Sequence, residues 1–416
     1  MTYLLFVIYL VFFCWLATRI RFFKDTGLSN KWLISLFLLK VIAGIAYGWF
    51  FTTIPDYKTT ADTWKFFLDA ESDTQLLTRN PVRFFVSFFE NPEDKGYKHL
   101  FSSTNSYWND LRHLYMVKIV AIFNALSGSR YYVNVIFFSF LTMFGPIAFI
   151  RVMNDIFPNR LTLLTISTFL FPSFLFWSSG IHKDGIVFTL LSLIIFIMHF
   201  SLRDKRFGIK QVLLIALLIL LIFPVRNHVV LAAVPGLFAW WMAEKYFKRK
   251  WIAFLLVTII STAIFFGGKY IHPKFNLPVS IVLRNKEFIK LGGNSFLPQR
   301  KLESTFTGFV KNAPQALNHT LARPYITEIA SPFYLFCALE ILMMWILAGI
   351  CFFYYNDNPY RHSAVLFLLL ISAVLLLLIG LIVPQLGAIV RYRAIFIPYI
   401  LVPVVATIKW KKQIIK

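Results

Sequence analysis

Apolar runs recur along the chain roughly every 20 to 35 residues, the spacing of helices that each need about 20 residues to cross a hydrocarbon core of ~30 Å. Eleven runs qualify: residues 1–18, 32–54, 131–150, 161–177, 186–202, 211–223, 229–243, 251–266, 332–355, 363–383 and about 391–408. They are built from Leu, Ile and Phe and lack the ~10-residue alternation of a membrane barrel. The sequence therefore predicts an all-α, polytopic helical membrane protein of about 11 spans, a single integral membrane domain over residues 1–416. A composition that is 58% hydrophobic and only 15% charged lies well outside the range of soluble globular domains.

The formal charge of +23 would suggest nucleic acid in a soluble chain. Here the Lys and Arg residues sort by loop, which points to topology and to membrane lipid as a partner, and not to nucleic acid. Alternate short loops carry 19 basic residues, among them Arg19, Arg151, Arg203, Lys248, Arg361 and Lys411, whereas the opposite loops hold only Lys183, Arg226, Arg391 and Arg393. Positive-inside logic places the first set in the cytoplasm, the N-terminus outside and the C-terminus inside. The first run lacks a basic leader and a small-residue cleavage signature, so it reads as a retained span.

Two larger loops then face outward. Residues 55–115 hold nine acidic and seven basic residues; residues 268–331 hold nine basic and three acidic ones. In the first, TTADTWKFFLDAESD reads as an amphipathic helix lying on the membrane, with Trp64, Phe67 and Leu68 apolar and Asp62, Asp69 and Asp73 sharing a face. Residues 113–126 read as an interfacial or re-entrant helix, since a crossing there would invert the charge pattern of every later loop. Cys14, Cys337 and Cys351 lie in apolar runs without metal-ligand spacing, so neither a disulfide framework nor a metal site is expected, and no cofactor is implied.

The polar inserts gather on the outer side. PSFLFWSSGIHKDG places Lys183 and Asp184 side by side in a tight hairpin, where ionisable groups must be paired or wetted; a plain reading has Asp184 favouring the N-terminus of the next helix. PVRNH carries Arg226 and His228 after Pro224, which breaks or ends a helix. GAIVRYR brings Arg391 and Arg393 into the last span at i and i+2, roughly 200° apart, so that one can face the interior while the other reaches the interface. Either they anchor the helix, or they bind a phosphate or diphosphate, to which guanidinium is suited. Glu340, inside an apolar run, needs a partner and reads as structural support, and Lys40 in the second run is treated likewise. Asp62 is either a helix cap or a base for a sugar hydroxyl.

Taken together, Asp62 in TADTWKFFLDA, PSFLFWSSGIHKDG, PVRNH, ARPYITEIASPF leading to Glu340, and GAIVRYRAIFIPYI resemble bacterial envelope-polysaccharide membrane enzymes. These are the Wzy/EpsG-like repeat-unit polymerases and the related GT-C glycosyltransferases that use polyprenyl-linked sugars. The chain differs from the usual GT-C plan in that its acidic loop follows the second run. The resemblance implies metal-independent glycosyl transfer with inversion at the outer face of the inner membrane, from a polyprenyl-phosphate- or diphosphate-linked glycan. Asp62 or Asp184 would activate the acceptor hydroxyl, and Arg391 or Arg393, with Arg226, Lys183 and His228, would bind the substrate and stabilise the departing phosphate. The rival expectation is a transporter or flippase of an anionic lipid-linked glycan, against which the one-sided grouping of polar inserts speaks.

Overall fold

The computed structural model describes residues 2–53, 61–88, 107–293, 295–328, 332–355 and 361–409. The remainder of the acidic loop at 54–60 and 89–106, and the tail with Lys411, Lys412 and Lys416, lie outside the described residues. Among those described, every extended element is a helix: α1 (Thr2–Arg19), α2 (Arg21–Lys24), α3 (Asn30–Phe50), α4 (Asp62–Arg79), α5 (Pro81–Val86), α6 (Tyr107–Ser127), α7 (Tyr131–Ile156), α8 (Leu161–Phe169), α9 (Pro172–Ser179), α10 (Lys183–Arg203), α11 (Ile209–Tyr246), α12 (Lys250–Ile271), α13 (Leu277–Leu291), α14 (Phe306–Leu321), α15 (Pro332–Tyr354), α16 (Ser363–Ile382), α17 (Leu386–Ala394) and α18 (Ile397–Thr407). Seven of these are long and apolar enough to cross a membrane, or up to nine if each of two bent pairs is one span. The chain is thus an all-helical membrane protein.

Four expected spans take a different form. Residues 161–177 become α8 and α9, bent by 65°, because Pro172 has no N–H to continue the ladder and instead starts a new helix. The last expected span becomes α17 and α18, bent by 58°, with Pro398 in the first turn of α18. The expected pair 211–223 and 229–243 runs on as α11, whose helical dihedrals fail at one residue, Arg226 (φ −149°, ψ 75°), two positions after Pro224.

The chain divides into two compact units: Met1–Val152, Phe174–Ser201 and Phe207–Asn227 form the first; Met153–Ser173, Leu202–Arg206 and His228–Lys416 form the second. In the first unit, aromatic anchors fix the start of α4. Trp64 stacks on Tyr131 with centroids 3.9 Å apart and donates its indole N–H to the Gly48 carbonyl at 3.0 Å. Thr63 and the Tyr131 hydroxyl share a buried hydrogen bond of 2.7 Å. A stacked aromatic pair of this kind contributes about 1 kcal/mol beyond its area burial, so the position of Asp62, two residues before Trp64, is held from the backbone upward.

The amphipathicity of α4 is not the one expected. Phe66 and Ala70 are buried with Met116, Val117, Val120 and Ala121 of α6, while Leu68 is 46% exposed. At 100° per residue, Asp62, Phe66, Asp69, Ala70, Asp73 and Leu77 fall on a single stripe. The carboxylates therefore lie on the docking face and meet bases there: Asp69 binds His113 at 2.8 Å and Asp73 binds Lys118 at 2.6 Å. Lys118 is also held by the Ser87 hydroxyl and the face of Phe84. α4 is packed against α6 through apolar and ionic contacts on this stripe, and against Tyr131 and Gly48 through Thr63 and Trp64 near its start.

In the second unit, the basic stretch 268–331 is largely folded. Asn285 of α13 donates to the carbonyls of Leu381 and Ile382, and Gln299 donates to those of Gly380 and Val383. Two side-chain amides thereby satisfy the carbonyls that the end of α16 leaves without intrahelical donors.

Candidate functional site

The site begins at the hairpin between α9 and α10. Three residues, 180–182, connect the two helices, and His182 and Asp184 are both completely buried. Asp184 sits in the first turn of α10, where the helix dipole favours its charge. Its carboxylate oxygens are divided between two partners. Oδ1 accepts from the Arg226 guanidinium at 2.6 Å, and Oδ2 lies 3.0 Å from Nδ1 of His182. The irregular backbone at Arg226 thus interrupts α11 at the residue whose side chain binds Asp184.

The other imidazole nitrogen of His182, Nε2, lies 3.2 Å from Oδ2 of Asp62. Four residues from three separate segments form one line: Asp62, His182, Asp184, Arg226. Its inner members are sealed from water, with Arg226 only 11% exposed, whereas Asp62 is 39% exposed. The line is most exposed at Asp62.

Two contacts compete at Nδ1. The Asp184 backbone N–H approaches it at 3.3 Å, which needs a lone pair there, and the Asp184 carboxylate approaches at 3.0 Å, which needs a proton. The shorter, charge-assisted contact is the stronger, so we assign the proton to Nδ1. Nε2 then faces Asp62 as an acceptor, and a proton arriving on Asp62 has a partner across the 3.2 Å gap. A buried carboxylate orienting an imidazole, itself beside a reactive group, is the logic of a general-base relay.

Around this line, Lys183 lies with its ammonium 4.9 Å from the Phe66 ring, which also lies near His113 with centroids 5.4 Å apart. Burial pulls the His113 pKa below its usual 6.5; Asp69 acts against that, and Lys65 and Lys183 reinforce it. Tyr47 flanks His182 at 6.4 Å between centroids and touches Phe176 and Trp177.

No family model, curated protein or solved structure matches the chain. The chemistry of the site must be read from its own geometry.

The remaining expected site residues belong to the second unit. Arg393 is buried and spends its guanidinium on backbone, donating to the carbonyls of Thr320 in the last turn of α14 at 3.1 Å and of Arg323 just beyond it. Arg391 is half-buried and lies against the ring of Tyr392, so the two arginines differ in burial. Glu340 accepts the Ser173 backbone N–H at 2.5 Å, at the start of α9, and lies within electrostatic reach of Arg393. His228 is half-buried in α11, two residues beyond the irregular backbone.

Of the expected residues, then, Asp62, Asp184 and Arg226 come together, with Lys183 next to Asp184 in the chain. The imidazole that joins them was not singled out from sequence. The available signal was its place inside IHKDG, directly before the paired charges, but one His among eight gives no sign of lying between two carboxylates 122 positions apart, Asp62 and Asp184. Among the described residues no cluster of His, Cys, Asp and Glu is arranged to hold a metal.

Proposed function

We propose that the chain is a membrane glycosyltransferase or repeat-unit polymerase that uses a polyprenyl-phosphate- or diphosphate-linked glycan, with Asp62 as its general base. The observation that carries this reading is a partly exposed carboxylate backed by a buried His182–Asp184–Arg226 line. A structural ion pair has no need of such a line ending near solvent. The resemblance of the polar motifs to Wzy/EpsG-like and GT-C enzymes supports the choice of substrate. In this reading there are eleven spans and the motif-bearing side faces outward from a bacterial inner membrane.

The acceptor hydroxyl gives its proton to Asp62 as its oxygen attacks the anomeric carbon of the donor sugar. The bond from that carbon to the phosphate oxygen breaks, and the electron pair leaves with the phosphate. His182 shares the proton from Asp62 through Nε2, while Asp184 stabilises the charge that forms on the imidazole. Arg226 pairs with the Asp184 carboxylate, and Lys183 supplies positive charge next to the reacting groups.

Single replacements Asp62→Asn and His182→Gln, each checked for membrane insertion, test the assignment. Surface glycan should be lost in both. Glycan at the parental level in both Asp62→Asn and His182→Gln would refute the site.

The buried charges of the same line also suit a proton-coupled transporter, since ionisable groups inside apolar surroundings mark such pathways. A deletion strain separates the readings: lipid-linked repeat units accumulate on the outer leaflet when a polymerase is missing and on the inner leaflet when a flippase is missing.

A further inference from the structure

Lys40 lies in the interior of α3 and is 1% exposed. Among the described residues no carboxylate pairs with it. Its ammonium donates instead to the Ser178 carbonyl at 3.3 Å, the Ser178 hydroxyl at 3.4 Å and the Ser179 hydroxyl at 3.2 Å. Those are the last two residues of α9, whose terminal carbonyls have no helical donors and favour a nearby cation. Burying an ammonium without a counter-ion costs several kcal/mol, so a neutral residue would serve stability alone as well or better.

We propose that Lys40 is a positioning residue that fixes the 178–182 turn so that His182 stands between Asp62 and Asp184. Two close approaches show how tightly this turn is packed. A side-chain carbon placed on Gly44, one turn beyond Lys40, would come within 2.6 Å of the Ser179 carbonyl oxygen. One placed on Gly185, next to Asp184, would come within 2.4 Å of the Ser178 carbonyl oxygen. The Ser178 carbonyl is therefore both the acceptor of the Lys40 ammonium and the surface against which the first turn of α10 rests. A shift of that carbonyl moves Asp184 and His182 together. The role of Lys40 in catalysis rests on the enzymatic reading above; its role in holding the imidazole does not.

The test uses the full chain, labelled with 15N-histidine and reconstituted in lipid nanodiscs, with the His182 ring signals identified by their loss in His182→Gln. Lys40→Met should broaden or split those ring resonances as the imidazole loses its single setting, and surface glycan should fall at least tenfold. Lys40→Arg, which keeps the charge, should retain more glycan than Lys40→Met. Should Lys40→Met fail to accumulate, Ser179→Ala removes one acceptor and should give the same spectral change at smaller amplitude. Unchanged His182 resonances in whichever of these two variants accumulates overturn the proposal. Normal glycan in Asp62→Asn and His182→Gln would sink the enzymatic reading alone, since the spectral result stands without it.

Discussion

Asp184 in the first unit and Arg393 in the second are both charges buried in apolar surroundings, and their closest partners differ in kind. In the first unit Asp184 is met by side chains, Arg226 on one oxygen and His182 on the other, and the line continues to the partly exposed Asp62. In the second, Arg393 ends on the carbonyls of Thr320 and Arg323, and Glu340 ends on the Ser173 N–H. Backbone groups at helix ends cannot titrate, so the second arrangement fixes geometry and goes no further. A line of ionisable side chains that opens outward can move a proton. Burial of a charge does not distinguish the two; the identity of its partner does.

The largest expected effect is Asp62→Asn. It should lower transfer by ~100-fold or more, the usual range for a lost general base, with little change in thermal unfolding because the group is 39% exposed. A large loss of stability with activity retained would make Asp62 as structural as Glu340 and erase the contrast.

Arg226→Met comes next. It leaves Asp184 without its guanidinium partner, and removing one member of a buried ion pair costs about 3–5 kcal/mol, to be read as a lowered unfolding midpoint in nanodiscs. Glu340→Gln is expected to be milder, since the amide oxygen still accepts the Ser173 N–H and only the charge assistance is lost, about 1 kcal/mol. A drop larger than that of Arg226→Met would reverse the proposed ranking of the two regions.

The smallest effect is a pH dependence present in both units. Burial holds the pKa of His113 below 6.5, as it does that of His319, where the nearby Arg323 adds to the shift and Glu328 opposes it. A histidine with a lowered folded pKa carries no penalty above 6.5. The penalty appears as pH falls through 6.5 and is complete below the folded value. Unfolding midpoints should decline modestly over that window, and His113→Gln and His319→Gln should each flatten the decline. A midpoint that rises on acidification would contradict the sign.

The Arg391 and Arg393 divergence was legible from a spacing of i, i+2, because helical geometry alone sets the angle. Pro224 likewise announced a break, though not that the irregular residue would be Arg226. The acidic stripe of α4 was legible as a stripe and misleading as a surface: its periodicity shows which residues share a face, not whether that face meets water or a neighbouring helix. His113 and Lys118, which turn Asp69 and Asp73 inward, lie 44 and 45 residues further along the chain.

The sequence by itself determined that the chain is helical, that it is a membrane protein, and which few polar residues its apolar segments must accommodate. Those follow from hydropathy and short-range periodicity, which are local quantities. Only the tertiary structure decided which of those polar residues meet, that His182 joins Asp62 to Asp184, and that Arg393 and Glu340 end on backbone. Partner choice among buried charges depends on distances between segments far apart in the chain, and no local pattern encodes them.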